Sequence, residues 1–571
     1  MKRIAALSIL ILLVVAAWAT YEGVERRAEP SLARLMPKDA VLFLEARDFG
    51  TMLREWNASS EKQVWLTSDN HEVFSDSRLF LRLKQAQDEF ASAAGLPPDM
   101  SFLSDVAGEQ SAVGIYDIGK LELLYVTRLP SAHSLQSGIW QQRAKFETRE
   151  MNGKQFYVRT DPQSERVVAF AIDGDYLILG TREDLVAGAL SLLTEKKAAA
   201  LSEEGWFVNA VKSAKDAGEL RMMIHLAEVT KTPQFRTYWV QQNITEMRQY
   251  ESSVSDLFRS SGTYREERSM LMKSASENTS DAADGSREVA ELMRLVPPDA
   301  GFYRAYASSP QDDFLALLEQ KVLAPRLGAA PVSKLAPSVN LSDQAVGNAS
   351  NLDVRIDVPP STGAAESSGD DALKELLKNA NVRAALQLHR SQSAEDGVFV
   401  RLHSTIVLRG ATDWPESAVQ QAIQRLLSPG LTASNLGVGW KKAGAGAQSY
   451  FELDGLDRIA VAVRGKLLFV SDDGETLVKV LGRISQPVTA EAAVYYAGFD
   501  HGHERENFDR LFSLIDRPSQ NSEANNSDRT PQFFSQNVAS MSKTLASVKS
   551  QSVVVKRMGG IETQTVRYEI Q

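Results

Sequence analysis

Two closely spaced histidines are the residues whose types and spacing best suit chemistry. In the segment DHGHERENFD (500–509), His501 and His503 are one residue apart, with acidic residues on both sides. Imidazole nitrogen and carboxylate oxygen are suitable ligands for zinc or a similar ion. A catalytic zinc site needs three protein ligands, and the sequence does not specify the third. The pair is therefore a candidate metal site, and the alternative is a solvated loop leading into an acidic first helical turn.

Other catalytic signatures are missing from the sequence. It contains no Gly-x-Ser-x-Gly elbow, no His-Glu-x-x-His helix and no Walker-type phosphate loop. The glycine-rich stretch LGVGWKKAGAGAQ (436–448) lacks the strand and helix context of a phosphate loop and is expected to be a flexible connection. The chain has no cysteine, which excludes disulfides, thiol nucleophiles and thiolate metal sites. We predict no catalytic residue and no cofactor.

The N-terminus has the layout of an export signal. Lys2 and Arg3 precede an apolar run from Ile4 to Ala19, of about 16 residues. As a helix this run would span about 24 Å, slightly less than a hydrocarbon core of about 30 Å. Because basic residues stay on the cytoplasmic side, the rest of the chain is expected to cross the membrane.

Cleavage of this segment is left open by the sequence. Ala17, Trp18 and Ala19 could form a small-x-small cleavage site, whereas Trp18 and Tyr21 lie where interfacial aromatic residues anchor a membrane helix. We expect a single-pass inner-membrane protein whose bulk is periplasmic, and the alternative is a secreted protein. The net charge of −10 argues against nucleic acid as a partner.

An internal repeat organises the rest of the chain. LMPKDAVLF (Leu35–Phe43) matches LVPPDAGFY (Leu295–Tyr303). AFAIDGDYLILGTREDLV (Ala169–Val186) matches AVAVRGKLLFVSDDGETLV (Ala460–Val478), with one extra residue near the end. The two motifs occur in the same order in both halves, which indicates two related modules.

Asp39 and Asp299 recur in the first of these motifs, two residues after a proline. A paired carboxylate site is one interpretation. The other is a turn residue that bonds its own backbone before a strand. A repeated residue at a repeated turn fits a shared fold, so we favour the turn.

Each half is predicted to be an α+β module with an antiparallel sheet. Gly174 and Gly465 mark tight hairpin turns in the second motif, and Thr181 with Asp184 resembles a capping box that opens a helix. Further hairpins are predicted at 112–129, at 384–408 and at the end of the chain, where the turn is Gly559-Gly560. The sheet is expected to bury one face under its helices.

The predicted domains follow from the repeat. They are a signal-anchor or signal peptide at 1–27, a first α+β module at 35–200, a strand and helical connector at 201–290, a second α+β module at 295–485 and a C-terminal strand-helix-hairpin segment at 490–571. The last segment and the strand near 217–229 are alternatively closing strands of the two modules.

Two other features interrupt the modules. Residues 331–371 are rich in Ser, Ala, Gly, Pro and Asp and are predicted to be a disordered insertion. Apolar residues at steps of three and four from Val240 to Leu257 predict a helix with one apolar stripe.

The layout resembles an uncharacterised family of exported, membrane-anchored bacterial proteins, known as a domain of unknown function. The resemblance is carried by the N-terminal apolar segment, by the Pro-x-Asp-Ala signature at Pro37, Asp39 and Ala40, and by late glycine-turn hairpins such as that at Gly174. It covers roughly Leu35–Ile484 and implies an envelope protein, without implying an activity or a catalytic residue.

Three functional hypotheses remain. The first is a non-enzymatic envelope protein, tethered to the membrane, that binds another envelope protein or a hydrophobic ligand. The second is a metal-dependent hydrolase that uses His501 and His503. The third is a periplasmic chaperone or lipid carrier, in which curved sheets enclose an apolar groove.

Overall fold

Antiparallel strands and helices make up both halves of the chain in its computed structural model. Contacts divide the chain into two units, the first made of 1–59 and 76–256 and the second of 60–75 and 257–571. The structure describes residues 30–68, 71, 74–98, 101–194, 199–233, 247–273, 279–309, 312–323, 368–393, 400–431, 439–453, 458–507 and 547–570.

Each half of the chain contributes ten of the described strands. In the first half they are β1 Leu42–Arg47, β2 Gln110–Asp117, β3 Glu122–Arg128, β4 Glu147–Met151, β5 Lys154–Thr160, β6 Val167–Asp173, β7 Tyr176–Gly180, β8 Leu220–Ile224, β9 Tyr250–Ser260 and β10 Thr263–Met272. In the second half they are β11 Phe302–Ala307, β12 Val382–Ser393, β13 Val400–Gly410, β14 Trp440–Ala443, β15 Tyr450–Leu453, β16 Ile459–Arg464, β17 Leu467–Ser471, β18 Tyr495–Asp500, β19 Val548–Met558 and β20 Ile561–Ile570.

Helices lie between these strands. They are α1 Phe49–Ala58, α2 Ser60–Leu66, α3 Arg78–Ala94, α4 Leu103–Val106, α5 Ser131–Ser134, α6 Gly138–Gln141, α7 Glu183–Thr194, α8 Gly205–Ser213, α9 Leu226–Val229, α10 Thr279–Met293, α11 Phe314–Leu318, α12 Ser368–Ala380, α13 Glu416–Leu431 and α14 Gly474–Leu481. The fold is therefore α+β, as the sequence predicts. In the part of the chain that the structure describes, no helix is long and apolar enough to cross a membrane, and the segment Ile4–Arg27 lies outside that part.

The sheet of the first unit has the strand order β4-β5-β6-β7-β3-β2-β1-β8, antiparallel throughout. Strand β8 belongs to the predicted connector but pairs with β1. It therefore closes the first module, which is the alternative that the sequence leaves open.

Both faces of this sheet carry apolar side chains. One face packs against α7, α8 and the 3₁₀ turn Leu32–Leu35, in a core that contains Phe43, Leu124, Val126 and Ile178. The opposite face forms a second core with the C-terminal end of α3, through Phe170, Leu177 and Ala93. The prediction of one buried face is therefore too simple, because helices cover parts of both.

The sheet of the second unit has the order β14-β15-β16-β17-β13-β12-β11-β18-β19-β20-β10. Strands β18 to β20 come from the predicted C-terminal segment and continue this sheet. One face packs against α10 and α14, and the other packs against α11, α12 and α13.

Local predictions for the turns agree with the structure at most positions. Gly174 and Gly465 adopt the same positive φ of 56° between their paired strands, and the terminal hairpin turns at Gly559 and Gly560. The capping box at Thr181 is wrong. Its Oγ1 accepts from the backbone N–H of Leu123 at 2.9 Å, so the hydroxyl ties β7 to β3 instead.

The helix predicted from Val240 to Leu257 is also wrong from Tyr250 onward. Residues 234–246 lie outside the described residues, and Tyr250–Ser260 is strand β9. Consecutive side chains from Ser252 to Asp256 are buried, which is typical of a strand covered on both faces. Most of the predicted insertion at 331–371 lies outside the described residues too, and its last residues belong to α12.

Candidate functional site

The predicted histidine pair lies on a helical turn, 501–507, directly after β18. The His501 ring meets the Phe499 ring edge to face, with centroids 4.5 Å apart, and burial lowers its pKa. The backbone N–H of His503 donates to Asp500 Oδ1 at 2.9 Å. Residues two apart on a helix point about 200° away from each other, so the two rings do not converge.

A third metal ligand is not evident around this pair. Glu504 directly follows His503 in the chain. Its carboxylate is buried and accepts from the backbone N–H of Ser391 at 3.1 Å. Within the described ranges, no three His, Cys, Asp or Glu side chains are grouped so as to hold a metal ion. The metal site at His501 and His503 stays a prediction without structural support.

Asp39 and Asp299 belong to different units. Asp39 has a positive φ of 71°, and its backbone N–H donates to Glu204 Oε1 at 2.6 Å. The Asp299 carboxylate pairs with Lys479, which lowers its pKa. The turn interpretation stays a prediction, because the contacts described for the two aspartates are to Glu204 and to Lys479.

The first unit contains a cavity of about 560 Å³ with a mostly apolar lining. It lies between the sheet and α3, with α1 and α4 completing its wall. We call it the apolar pocket. Its size is within the range of small-molecule sites, which is about 300–1,000 Å³. The side chains that line it are mostly apolar: Leu44, Ala46, Phe49, Leu83, Ala86, Phe90, Phe102, Leu103, Ala112, Val113, Ile115, Leu121, Leu123, Tyr125, Leu179 and Leu220.

Strand alternation places four of the strand side chains, Leu44, Val113, Tyr125 and Leu179, on one face of the sheet. Leu44 pairs with Val113, and Val113 pairs with Tyr125 across β1, β2 and β3. Tyr125 in turn pairs with Leu179 of β7. Cross-strand partners point to the same face, so one continuous apolar strip forms the floor of the pocket.

Several of these floor residues are only partly covered. Leu44, Val113, Ile115 and Leu123 are half-buried, whereas neighbours on the opposite face, such as Leu124, are fully buried. An apolar strip left partly open on a sheet face marks a binding surface more often than a packing defect.

The polar groups of the wall are already hydrogen-bonded within the protein. Tyr125 donates its hydroxyl to the carbonyl of Val106 at 2.8 Å, and burial raises its pKa. The hydroxyls of Ser111 and Thr127 are 2.7 Å apart. Because these groups have partners, the pocket offers a ligand mainly apolar contact.

Helix α3 forms the outer wall. Ser77 caps its first turn by accepting from the backbone N–H of Phe80 at 3.2 Å, and Gly95 ends it with a φ of 71°. Leu83 lines the pocket and is 45% exposed, so it stands at the mouth. The C-terminal half of the helix is packed in the core, whereas the N-terminal half covers the pocket.

Strand registers identify the equivalent positions in the second unit. Leu42 pairs with Ile115, and Phe302, which aligns with Leu42 in the first repeated motif, pairs with His389. His389 of the second unit therefore occupies the register of Ile115.

The same equivalence continues into the next strands. Ile115 pairs with Leu123, and His389 pairs with Ser404. The next residues along these strands, Leu124 and Thr405, pair with Gly180 in β7 and with Ser471 in β17, which are also aligned by the second repeated motif. Sequence alignment and strand register thus give the same equivalences.

The second unit has polar side chains where the first has its pocket floor. His389 Nδ1 lies 3.0 Å from Ser404 Oγ, and its ring stacks on Phe302. Burial lowers the pKa of His389 to about 4, with a further contribution from Lys321. His389 and His403 are both partly buried.

Sequence reasoning missed the apolar pocket, although a signal for it exists. The strands β2 and β3, QSAVGIYD and ELLYVTR, have apolar residues at consecutive positions rather than at alternate ones. Such runs indicate that both faces of a strand are covered. What sequence cannot give is how completely α3 covers the second face.

Comparisons with known proteins place the chain in no family. No family model and no curated protein matches it. Among solved structures, crystal form III of TP0453 has a TM-score of 0.24 and 11% sequence identity, and covers 50% of this chain and 91% of that chain. Crystal form IV of TP0453 has a TM-score of 0.22 and 10% identity, and covers 44% of this chain and 83% of that chain. Likenesses this low carry no argument about function.

Proposed function

We propose that this chain is a non-enzymatic binding protein for a hydrophobic ligand, which it holds in the apolar pocket of its first unit. The observation that supports this proposal is the cavity of about 560 Å³ floored by half-buried apolar side chains. A ligand that buries about 400 Å² of apolar surface there would gain roughly 10 kcal/mol. The cost of association is at least about 4 kcal/mol, so at most about 6 kcal/mol remains and we expect dissociation constants of about 40 μM or weaker.

The two modules arose, in this proposal, by duplication and then diverged. The first kept an open apolar floor, with Ile115 and Leu123, and the second acquired His389 and Ser404 at the same registers. The first module is thus the binding module.

We further propose that the protein works outside the cytoplasm, tethered by its N-terminal apolar segment, as the family resemblance implies. In that compartment the ligand would be a membrane-derived or other poorly soluble molecule.

Binding of N-phenylnaphthylamine, an uncharged dye that fluoresces in apolar sites, tests the proposal. We expect saturable binding to the purified chain from residue 30 onward. The double variant Ile115→His/Leu123→Ser installs the second module's residues and is expected to weaken binding at least about tenfold. Leu83→Glu, at the exposed mouth, is expected to weaken binding as well, because it places a charge beside the apolar wall.

The matched control is Val211→Thr, which removes an exposed apolar surface from α8, away from the pocket. It should bind the dye like the unsubstituted protein. Thermal denaturation of every variant separates lost binding from lost folding. Dye binding that survives both pocket changes in folded protein would overturn the proposal.

A further inference from the structure

A second cavity continues the apolar pocket, and this argument rests on the function proposed above. Four residues, Ala86, Leu121, Arg166 and Thr181, line both cavities. The second has a volume of about 410 Å³, and we call it the polar groove. A ligand in the apolar pocket can therefore extend into polar surroundings without leaving the protein.

Two of the carboxylates in the polar groove are already paired with arginines. Arg166 Nη2 lies 2.8 Å from Glu89 Oε2, and this hydrogen bond lowers the pKa of Glu89. Arg182 Nη1 lies 2.8 Å from Glu122 Oε2. These pairs fix the wall of the groove and neutralise one another.

The other cations of the groove have weaker partners. The Arg82 guanidinium donates to the backbone carbonyl of Gly119, a neutral group. Lys120 Nζ is 4.0 Å from Glu122, which Arg182 already bonds, and its side chain is 75% exposed. Of the described residues that line the groove, these two cations are opposed by one further carboxylate, Glu165.

Among the residues that line the groove, the cations outnumber the carboxylates by one, and outside the lining Asp184 also accepts from Arg182 Nε at 3.0 Å. Four cationic side chains line it, Arg82, Lys120, Arg166 and Arg182, against the three carboxylates Glu89, Glu122 and Glu165. Arg82 and Lys120 retain donors that can turn toward an anion, since arginine carries five N–H donors and lysine three.

We propose that the ligand is an amphiphile with an anionic head, whose hydrocarbon tail fills the apolar pocket and whose head binds Arg82 and Lys120 in the polar groove. A carboxylate and a phosphate are both suited to this site. The continuity of the two cavities and the weakly paired cations Arg82 and Lys120 at one end assign the two ends of the ligand.

Displacement of bound N-phenylnaphthylamine by four dodecyl compounds tests this inference. The compounds are dodecanoate, dodecyl phosphate, dodecanol and dodecyltrimethylammonium, each used below its micelle-forming concentration. We expect the two anions to bind about tenfold more tightly than dodecanol, and the cation to bind least tightly. The advantage of the anions should shrink as salt is added. The stronger of the two anions identifies the head as carboxylate or phosphate, and either order supports the inference.

The variant Arg82→Gln/Lys120→Gln is expected to bring the affinities of the anions within about twofold of that of dodecanol, while the affinity for dodecanol stays unchanged. The control Lys212→Gln/Lys215→Gln makes the same change of net charge at exposed positions outside the groove and should preserve the preference. Equal affinity for dodecanol and the anions, or a preference that survives Arg82→Gln/Lys120→Gln, would overturn this inference and leave the proposed function intact. Failure of all four compounds to displace the dye would contradict both.

Discussion

At the scale of single residues, the difference between the two modules lies in a few side chains at equivalent registers. Ile115 and Leu123 leave an apolar floor partly open, whereas His389 and Ser404 bond each other. The histidine is partly buried next to Phe302, and its pKa is about 4 because burial disfavours the charged ring. The presence of His389 at the register of Ile115 therefore affects the stability of the second module as well as its capacity to bind an apolar ligand.

Stability of the protein should fall as the pH is lowered from about 6.5 to about 4, in part because of His389. In the unfolded chain this histidine takes up its proton near pH 6.5, whereas in the folded chain it does so near pH 4. Between these values the unfolded state binds more protons, so acidification favours unfolding, by up to about 3 kcal/mol. Urea denaturation at a series of pH values measures the effect.

The variant His389→Gln should lose less stability over this pH range than the unsubstituted protein. The exposed His133 provides the control, and His133→Gln is expected to follow the unsubstituted protein. If His389→Gln shows the same pH dependence as the unsubstituted protein, the assignment of a neutral, partly buried His389 is wrong.

At the scale of elements, α3 decides whether the apolar pocket is a binding site or a closed core. Its C-terminal half contributes Ala93 and Ala94 to a packed core, whereas its N-terminal half bridges the cavity. The N-terminal turn thus depends more on its cap than on packing.

Ser77→Ala should loosen the wall of the pocket. Loss of the bond from the backbone N–H of Phe80 costs about 1 kcal/mol, so hydrogen exchange in the first turns of α3 is expected to quicken by about fivefold. Dye affinity should fall by a similar or smaller factor. Hydrogen exchange followed by mass spectrometry and dye titration measure the two effects.

Asp473→Ala makes the corresponding change at α14 of the second unit, where Asp473 accepts from Glu475 and Thr476. It should quicken exchange in α14 and leave dye binding unchanged. Equal effects of the two cap variants on dye binding would show that α3 is not the wall of the site.

At the scale of the whole molecule, the sequence predicts the class of fold better than the site. Its two repeated motifs predict α+β modules, and the alignment of Gly180 with Ser471 agrees with the strand registers. Such motifs are readable because glycine turns and buried strands leave local patterns. The pocket is a space between α3 and a sheet face that is distant from it in sequence. A local sequence pattern does not predict such a space.

The two histidines show that a suggestive sequence pattern does not by itself place side chains together. The spacing of His501 and His503 suggests a metal site, but both residues lie on a helix, where side chains two residues apart point in nearly opposite directions. Val240–Leu257 has helical spacing, but from Tyr250 onward it is a strand because pairing with another strand overrides a short periodic pattern. Residue types are visible in the sequence, whereas their convergence is a property of the fold.

Photo-cross-linking with a long-chain alcohol that carries a diazirine tests the central claim most directly, because it reports where a hydrophobic ligand lies. We predict saturable adducts on peptides of β2, β3 and α3, which contain Ile115, Leu123 and Leu83, and their loss in Ile115→His/Leu123→Ser. Adducts confined to residues 257–571, or labelling that does not saturate, would contradict a hydrophobic-ligand site in the first unit.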